Sequence, residues 1–126
     1  MPISYLIDPP NRLVSCSVSG TVTIDEVQAH RDRLHRDPAF TFQETAGILW
    51  DFSAATHFDH SMAKAAPLAE SWLLSPKVRR ALVSKPRTEI RKFLSLWVLH
   101  RATRRDLHVR NFDSVALAQQ WLAQPR

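Results

Sequence analysis

Only two glycines, Gly20 and Gly47, occur in 126 residues, and neither belongs to a glycine-rich run. Little backbone is therefore available to cradle phosphates or a dinucleotide, and no Gly-x-Ser-x-Gly elbow is present to present a nucleophile. Cysteine is almost absent too. The lone Cys16 cannot pair within the chain, which points to a reducing compartment and a cytoplasmic protein. No apolar run approaches the roughly 20 residues of a membrane span, and the start MPISYLID lacks the cationic and apolar regions of an export signal. Acidic residues are scarce in one half of the chain. Residues 77–110 hold eleven of the 17 Lys and Arg against only Glu89 and Asp106. Such a stretch raises nucleic acid as a partner. It shows no helix-turn-helix pattern, zinc spacing or RNP-like aromatic motif, and a solvated cationic face is the expectation.

What is present reads as one globular domain over residues 1–126, with 44% hydrophobic and 23% charged residues. Ile3, Tyr5 and Ile7 alternate with other residues, Pro9-Pro10-Asn11 breaks the chain, and Val14, Cys16 and Val18 alternate again. This predicts an N-terminal β-hairpin closed by Gly20. Thr23 to Glu26 has capping-box spacing, so a helix starts near Ile24 and ends at Asp37-Pro38. Gly47 to Phe52 is a short apolar run of the kind buried on both faces of a parallel sheet, and Ser53 to Phe58 is expected to leave it as a loop. A second helix is expected over 61–75, troubled by Pro67, with its start before or after that proline left open. Ala81 to Ser84 predicts another strand, and Thr88 to Arg104 the strongest helix, with Ile90, Phe93, Leu94, Trp97 and Val98 as its apolar stripe. A last strand over 107–110 and a helix capped by Asp113 or Ser114 complete the chain. Strands alternating with helices imply a largely parallel sheet.

Three stretches together, ISYLIDPPNRLVSCSVSGTVTIDEV, ILWDFS and FLSLWVLHRATRRDLHVRNFDSVALAQQWL, resemble the STAS/SEC14-type, SpoIIAA-like bacterial domains. The resemblance implies an α/β domain, a (βα)n superhelix with an N-terminal antiparallel hairpin, then a mainly parallel sheet of four or five strands with four helices. It also implies one of two functions: antagonist domains bind a protein partner and are switched by serine phosphorylation, whereas Sec14-type domains carry lipid in an apolar cavity. Fold alone does not choose between them.

On the antagonist pattern, Asp51-Phe52-Ser53 and Asp59-His60-Ser61-Met62 place Ser61 at the phosphoacceptor position. His60 then stands for a serine and Met62 for a glycine. Asp51, Ser53, His57, Phe58, Asp59 and His60 would form the partner-binding loop. The residues alone permit a plainer reading, in which Asp59 or Ser61 caps the second helix. His57, Asp59 and His60 offer no fourth ligand and no fixed tetrahedron, so no metal is expected. No cofactor is expected either. His30, His35, His100 and His108 read as surface or half-buried imidazoles, and Cys16 as an inert core thiol, which leaves no catalytic residue. The carrier alternative would line a cavity with Leu96, Trp97, Leu99 and Arg101 for a lipid or small amphiphile. In the simpler reading, Leu96 and Leu99 pack on a second subunit, as in a homodimer, or on the second helix. The expectation is a non-enzymatic regulatory module that binds a protein, with the lipid carrier as the alternative.

Overall fold

A computed structural model describes residues 3–40, 45–64, 78–105 and 108–125. Five strands, β1 (Ile3–Asp8), β2 (Leu13–Val22), β3 (Gly47–Phe58), β4 (Arg79–Val83) and β5 (Val109–Phe112), form one sheet in the order β1-β2-β3-β4-β5. The first pair is antiparallel and the rest are parallel. Three α-helices lie among the described residues: α1 (Ile24–Arg36), α2 (Glu89–Thr103) and α3 (Val115–Ala123). The expected helix over 61–75 is represented by a short 3-10 helix, His60–Lys64. Its remainder, Pro67 included, lies outside the described residues.

Helices α1 and α2 pack on the same face. Crossovers of one hand that always step in the same direction along a sheet leave their helices on one side. Val14, Cys16, Val18 and Val22 of β2, Ile48 and Trp50 of β3, Leu82 and Val109 meet Leu34 of α1 and Ile90 and Leu94 of α2 there. A smaller core lies on the opposite face, where Leu49, Ala81 and Val83 take Ala118 and Trp121 of α3. Strands β3 and β4 are thus covered on both sides, which is why their sequence runs apolar without alternating.

Local capping chemistry fixes the helix starts as the spacing predicts. The Thr23 hydroxyl accepts from the Glu26 amide and the Glu26 carboxylate accepts from the Thr23 amide, while Thr88 and Ser114 cap α2 and α3.

Strands β4 and β5 lie within two residues of the expected 81–84 and 107–110, and two boundaries differ more. Gly20 does not end β2, and Ser53 to Phe58 is not a loop: both strands continue, pairing as far as Val22 with Phe58. Two bulges make this possible. The register steps from Ser17 opposite Asp51 to Ser19 opposite Ala54, so Phe52 and Ser53 face Val18 alone; it then steps from Gly20 opposite Ala55 to Thr21 opposite His57, leaving Thr56 as an extra residue. The first bulge is held by Asp51, whose Oδ1 accepts from the Ser53 amide at 2.9 Å and from its hydroxyl at 2.5 Å. Gly20 lies at the second with φ of +68°, a conformation glycine reaches without the steric cost of a Cβ.

The bulges keep an aromatic series on the helical side. Strict alternation would bury Trp50, Phe52, Ala54 and Thr56. Instead Trp50, Phe52, Ala55 and Phe58 pack on the larger core. Phe52 stacks on Trp50 and meets Phe58 edge-on, and Phe58 meets Phe93 of α2. Replacing Gly20 by Ala is expected to cost about 1 kcal/mol in urea unfolding, entirely from the backbone, because nothing lies within 4 Å of the added Cβ. Gly20→Asn should recover roughly half of that loss, since asparagine tolerates the left-handed region; equal losses for Ala and Asn would contradict the conformational origin.

Candidate functional site

Beyond Asp51, β3 has left β4 behind and, among the described residues, pairs with β2 alone. The β2-β3 ribbon therefore projects from the C-terminal edge of the sheet, where open α/β sheets place their sites. At its end the chain turns into the 3-10 helix. The Asp59 amide donates to the Val22 carbonyl at 2.9 Å, closing the ribbon, and buried Met62 anchors the helix in the core.

Asp59 and Ser61 do not share one capping role. Asp59 Oδ1 accepts from the Ser61 amide at 2.8 Å, so Asp59 is the residue that caps the 3-10 helix. Ser61 points elsewhere. Its Oγ accepts from the Ile24 amide at 3.0 Å, satisfying one of the unpaired amides at the start of α1. The Asp59 carboxyl is held below the usual carboxylate range, first by the Ser61 amide, then by the Ser61 hydroxyl, with smaller contributions from His60 and His57. Ser61 thus joins three elements: the end of β3, the 3-10 helix and the N-terminus of α1.

The other expected loop residues divide by position. His57 is exposed on β3, and His60 is almost wholly exposed on the 3-10 helix with Nδ1 3.6 Å from Asp59 Oδ1. Phe58 turns into the core, while Asp51 and Ser53 hold the first bulge. They are therefore not one contiguous loop. What adjoins Ser61 at the exposed tip is Asp59 and His60, with Thr56 and His57 on the strand before them. Among the described residues no group of three or more His, Cys, Asp or Glu is placed to hold a metal ion.

The lining set for a lipid does not converge. Leu96 and Leu99 are 64% and 61% exposed, whereas Trp97 packs inward on the larger core. Positions 96 and 97 on a helix lie about 100° apart, so the four residues cannot line one cavity unless the helix is covered on both sides. Arg101 is half-buried on a different side from the two leucines.

One histidine departs from the surface or half-buried position expected of it. His30 is fully buried, with Nε2 3.3 Å from the Cys16 Sγ and its ring edge-on to both Tyr5 and Trp50. Burial, reinforced by Arg33, lowers its pKa to about 4, so the ring is neutral in the folded protein. Burial also pushes the Cys16 thiol up, which keeps it protonated and unreactive. The Tyr5 hydroxyl, behind the imidazole, donates to Asp37 Oδ2 at 2.8 Å. A helical position four residues before Leu34 was the available signal, since 30 and 34 share a face.

No family model matches this chain, and no curated protein matches its sequence. Solved structures do match its shape. An anti-sigma factor antagonist from Mycobacterium paratuberculosis superposes with a TM-score of 0.65 at 15% identity, covering 97% of this chain and 95% of that one. The unphosphorylated anti-sigma factor antagonist SpoIIAA gives 0.61 at 14% identity, covering 94% of each chain. A protein of uncharacterised function with a SpoIIAA-like fold, from Shewanella loihica PV-4, gives 0.60 at 15% identity over 96% of this chain and 94% of that one. With the hairpin, the parallel strands and the end-to-end coverage in agreement, this chain has the SpoIIAA-like fold of the anti-sigma factor antagonists.

Proposed function

We propose that this protein is a non-enzymatic regulatory module of the bacterial cytoplasm, which binds a protein partner through the tip of the β2-β3 ribbon and the 3-10 helix. The observation that carries the reading is Ser61 at the junction of three elements, in a fold shared over nearly its full length with anti-sigma factor antagonists. A phosphate on Ser61 would meet the Ile24 amide and the positive end of the α1 dipole, both favourable. It would also stand against the Asp59 carboxylate and near the acidic first turn of α1, Asp25 and Glu26. Those opposed forces cannot both be satisfied in the present arrangement. Modification therefore reshapes the tip, and a partner that docks there reads the change.

The test uses the full chain, ATP and a lysate of the source organism, with mass-spectrometric site mapping. Ser61 is expected to be labelled, and a protein retained by the wild type should be lost with Ser61→Asp. Labelling of other serines with Ser61 untouched, together with identical proteins retained by wild type and Ser61→Asp, would overturn the reading. A stoichiometric lipid seen by native mass spectrometry would overturn it in favour of carriage.

A further inference from the structure

The basic half of the chain is less available than its composition implies. Arg79 donates to the carbonyls of Trp121, Gln124 and Pro125 and, with Arg110, lies over the Trp121 ring. Arg91 is engaged with Ser84, Phe112 and Asp113. Among the described residues near α2, Lys92 within the helix, Arg104 and Arg105 just past its end, and Lys85 and Arg87 before its start are exposed. The acidic residues of this neighbourhood, among the described residues, are Glu89, which contacts Lys92 at 3.9 Å, and Asp113, which is held by Arg91.

Between these charges the outer side of α2 carries Leu96 and Leu99, two of the four large apolar side chains that are at least half exposed among the described residues. Lys92, Leu96, Leu99 and Thr103 are spaced by four, three and four residues. At 100° per residue they fall on one line along the helix, turned away from Ile90, Leu94 and Trp97. This is an apolar seam about one turn long, with cations toward both ends.

We infer that the outer face of α2 is a second docking surface, separate from the Ser61 tip, and that its occupant is an acidic amphipathic helix of a partner protein. Leucines one turn apart on a cylinder form a ridge that fits the groove of another helix. The surrounding cations select a partner with Glu or Asp beside its apolar stripe and speed its capture. A second copy of this chain fits less well, because it would bring Lys92, Arg104 and Arg105 against their own kind. A membrane surface also fits less well. The face offers only two leucines beside Ser95 and Thr103, and the aromatic residues of α2, Phe93 and Trp97, are turned inward.

The probe is a fluorescent synthetic helix of about 18 residues, long enough to be helical when bound, with leucines on one stripe and glutamates elsewhere. The wild-type domain should bind it saturably, and binding should weaken about tenfold or more with Leu96→Ser/Leu99→Ser and with Lys92→Glu/Arg105→Glu. Raising NaCl from about 50 to about 300 mM should weaken it as well, and a lysine-for-glutamate version of the peptide should not bind. The leucines face water, so the serine double variant should keep its melting temperature, which separates lost docking from lost folding. Three results would overturn the inference. One is equal affinity for wild type and the serine variant, or no binding at all. Another is a wild-type dimer in light scattering that the serine variant turns into a monomer, which assigns the seam to self-association. The last is sedimentation with phosphatidylcholine-phosphatidylserine vesicles that the serine variant loses, which assigns it to lipid.

Discussion

Replacing Arg91 by alanine is expected to destabilise the domain by about 3 kcal/mol or more, the largest effect of any single substitution outside the apolar core. One guanidinium in the first turn of α2 serves four acceptors at the C-terminal ends of two strands. Nε donates to the Ser84 hydroxyl at 2.6 Å, and Nη2 lies within donating distance of the Ser84 carbonyl at 2.6 Å, the Phe112 carbonyl at 2.7 Å and Asp113 Oδ1 at 2.8 Å. Ser84 directly follows β4, and Phe112 ends β5. Arg91 therefore ties the C-terminal ends of both strands to the helix that connects them. Ser84 is buried, so removing the donor strands its polar groups away from water, and that desolvation dominates the loss. Lysine should not replace it well, since an ammonium lacks the planar fork that reaches several acceptors at once. Arg91→Lys should recover less than half of the stability. Asp113→Ala is the control: its carboxylate is 61% exposed, and losing it should cost only about 0.5 kcal/mol. The measurement is the urea midpoint at constant m. A small loss for Arg91→Ala, or a loss for Asp113→Ala of equal size, would show that the cluster is a surface ion pair rather than a strand clamp.

Mild acid is expected to weaken the fold, with His30 as the main cause between about pH 6.5 and pH 4. The folded ring is surrounded by Cys16 from β2, Tyr5 from β1 and Trp50 from β3, with Arg33 the charged residue acting on it from its own helix and Asp37 behind Tyr5. None of these stabilises a positive imidazole at contact. Its pKa falls from 6.5 to about 4 on folding, for burial first and Arg33 second. The sign follows directly. Below pH 6.5 the unfolded chain binds a proton that the folded one refuses, so stability is full above pH 6.5, declines as pH falls towards 4, and levels off below it. The total is about 3 kcal/mol at 1.36 kcal/mol per unit. His30→Phe keeps a ring against Tyr5 and Trp50 and removes the titration. In urea unfolding of the two proteins, the stability of the wild type relative to His30→Phe should fall by about 3 kcal/mol as pH is lowered from 6.5 to 4. Parallel curves would mean that His30 is protonated without penalty. Asp59 contributes separately: its lowered pKa adds stability above the usual carboxylate range that is lost as pH falls through the folded value. The wild-type curve alone is therefore not decisive, and the difference curve is.

The parts of this fold that were legible in the residues are those that depend on near neighbours in the chain. The Thr23 capping box, Ser114 at the last helix, the alternating hairpin and the unbroken apolar run of Ile48 to Trp50 all involve contacts within a few residues, or a burial pattern that one strand or helix displays by itself. The length of β3 was less accessible. Its signal was written in the spacing of Trp50, Phe52, Ala55 and Phe58, at two, three and three residues, but a bulge is visible only once a partner strand supplies the register. The same limit applies to the candidate site. Asp59 capping its own turn is local and was expected. Ser61 capping a helix that begins 37 residues earlier is not.

The sequence by itself determined an α/β fold, the order of its described strands and helices, a buried Cys16 and the helix starts, because patterning and capping act along the chain. Only the tertiary structure decided four further matters. It decided that the ribbon projects past β4, that His30 enters the core, that Ser61 bridges to α1, and that Leu96 and Leu99 face outward beside cations. The reason is common to all four. Each depends on which groups from distant segments exclude water from a side chain or complete its hydrogen bonds, and the spacing of residues along one strand or helix carries no record of that.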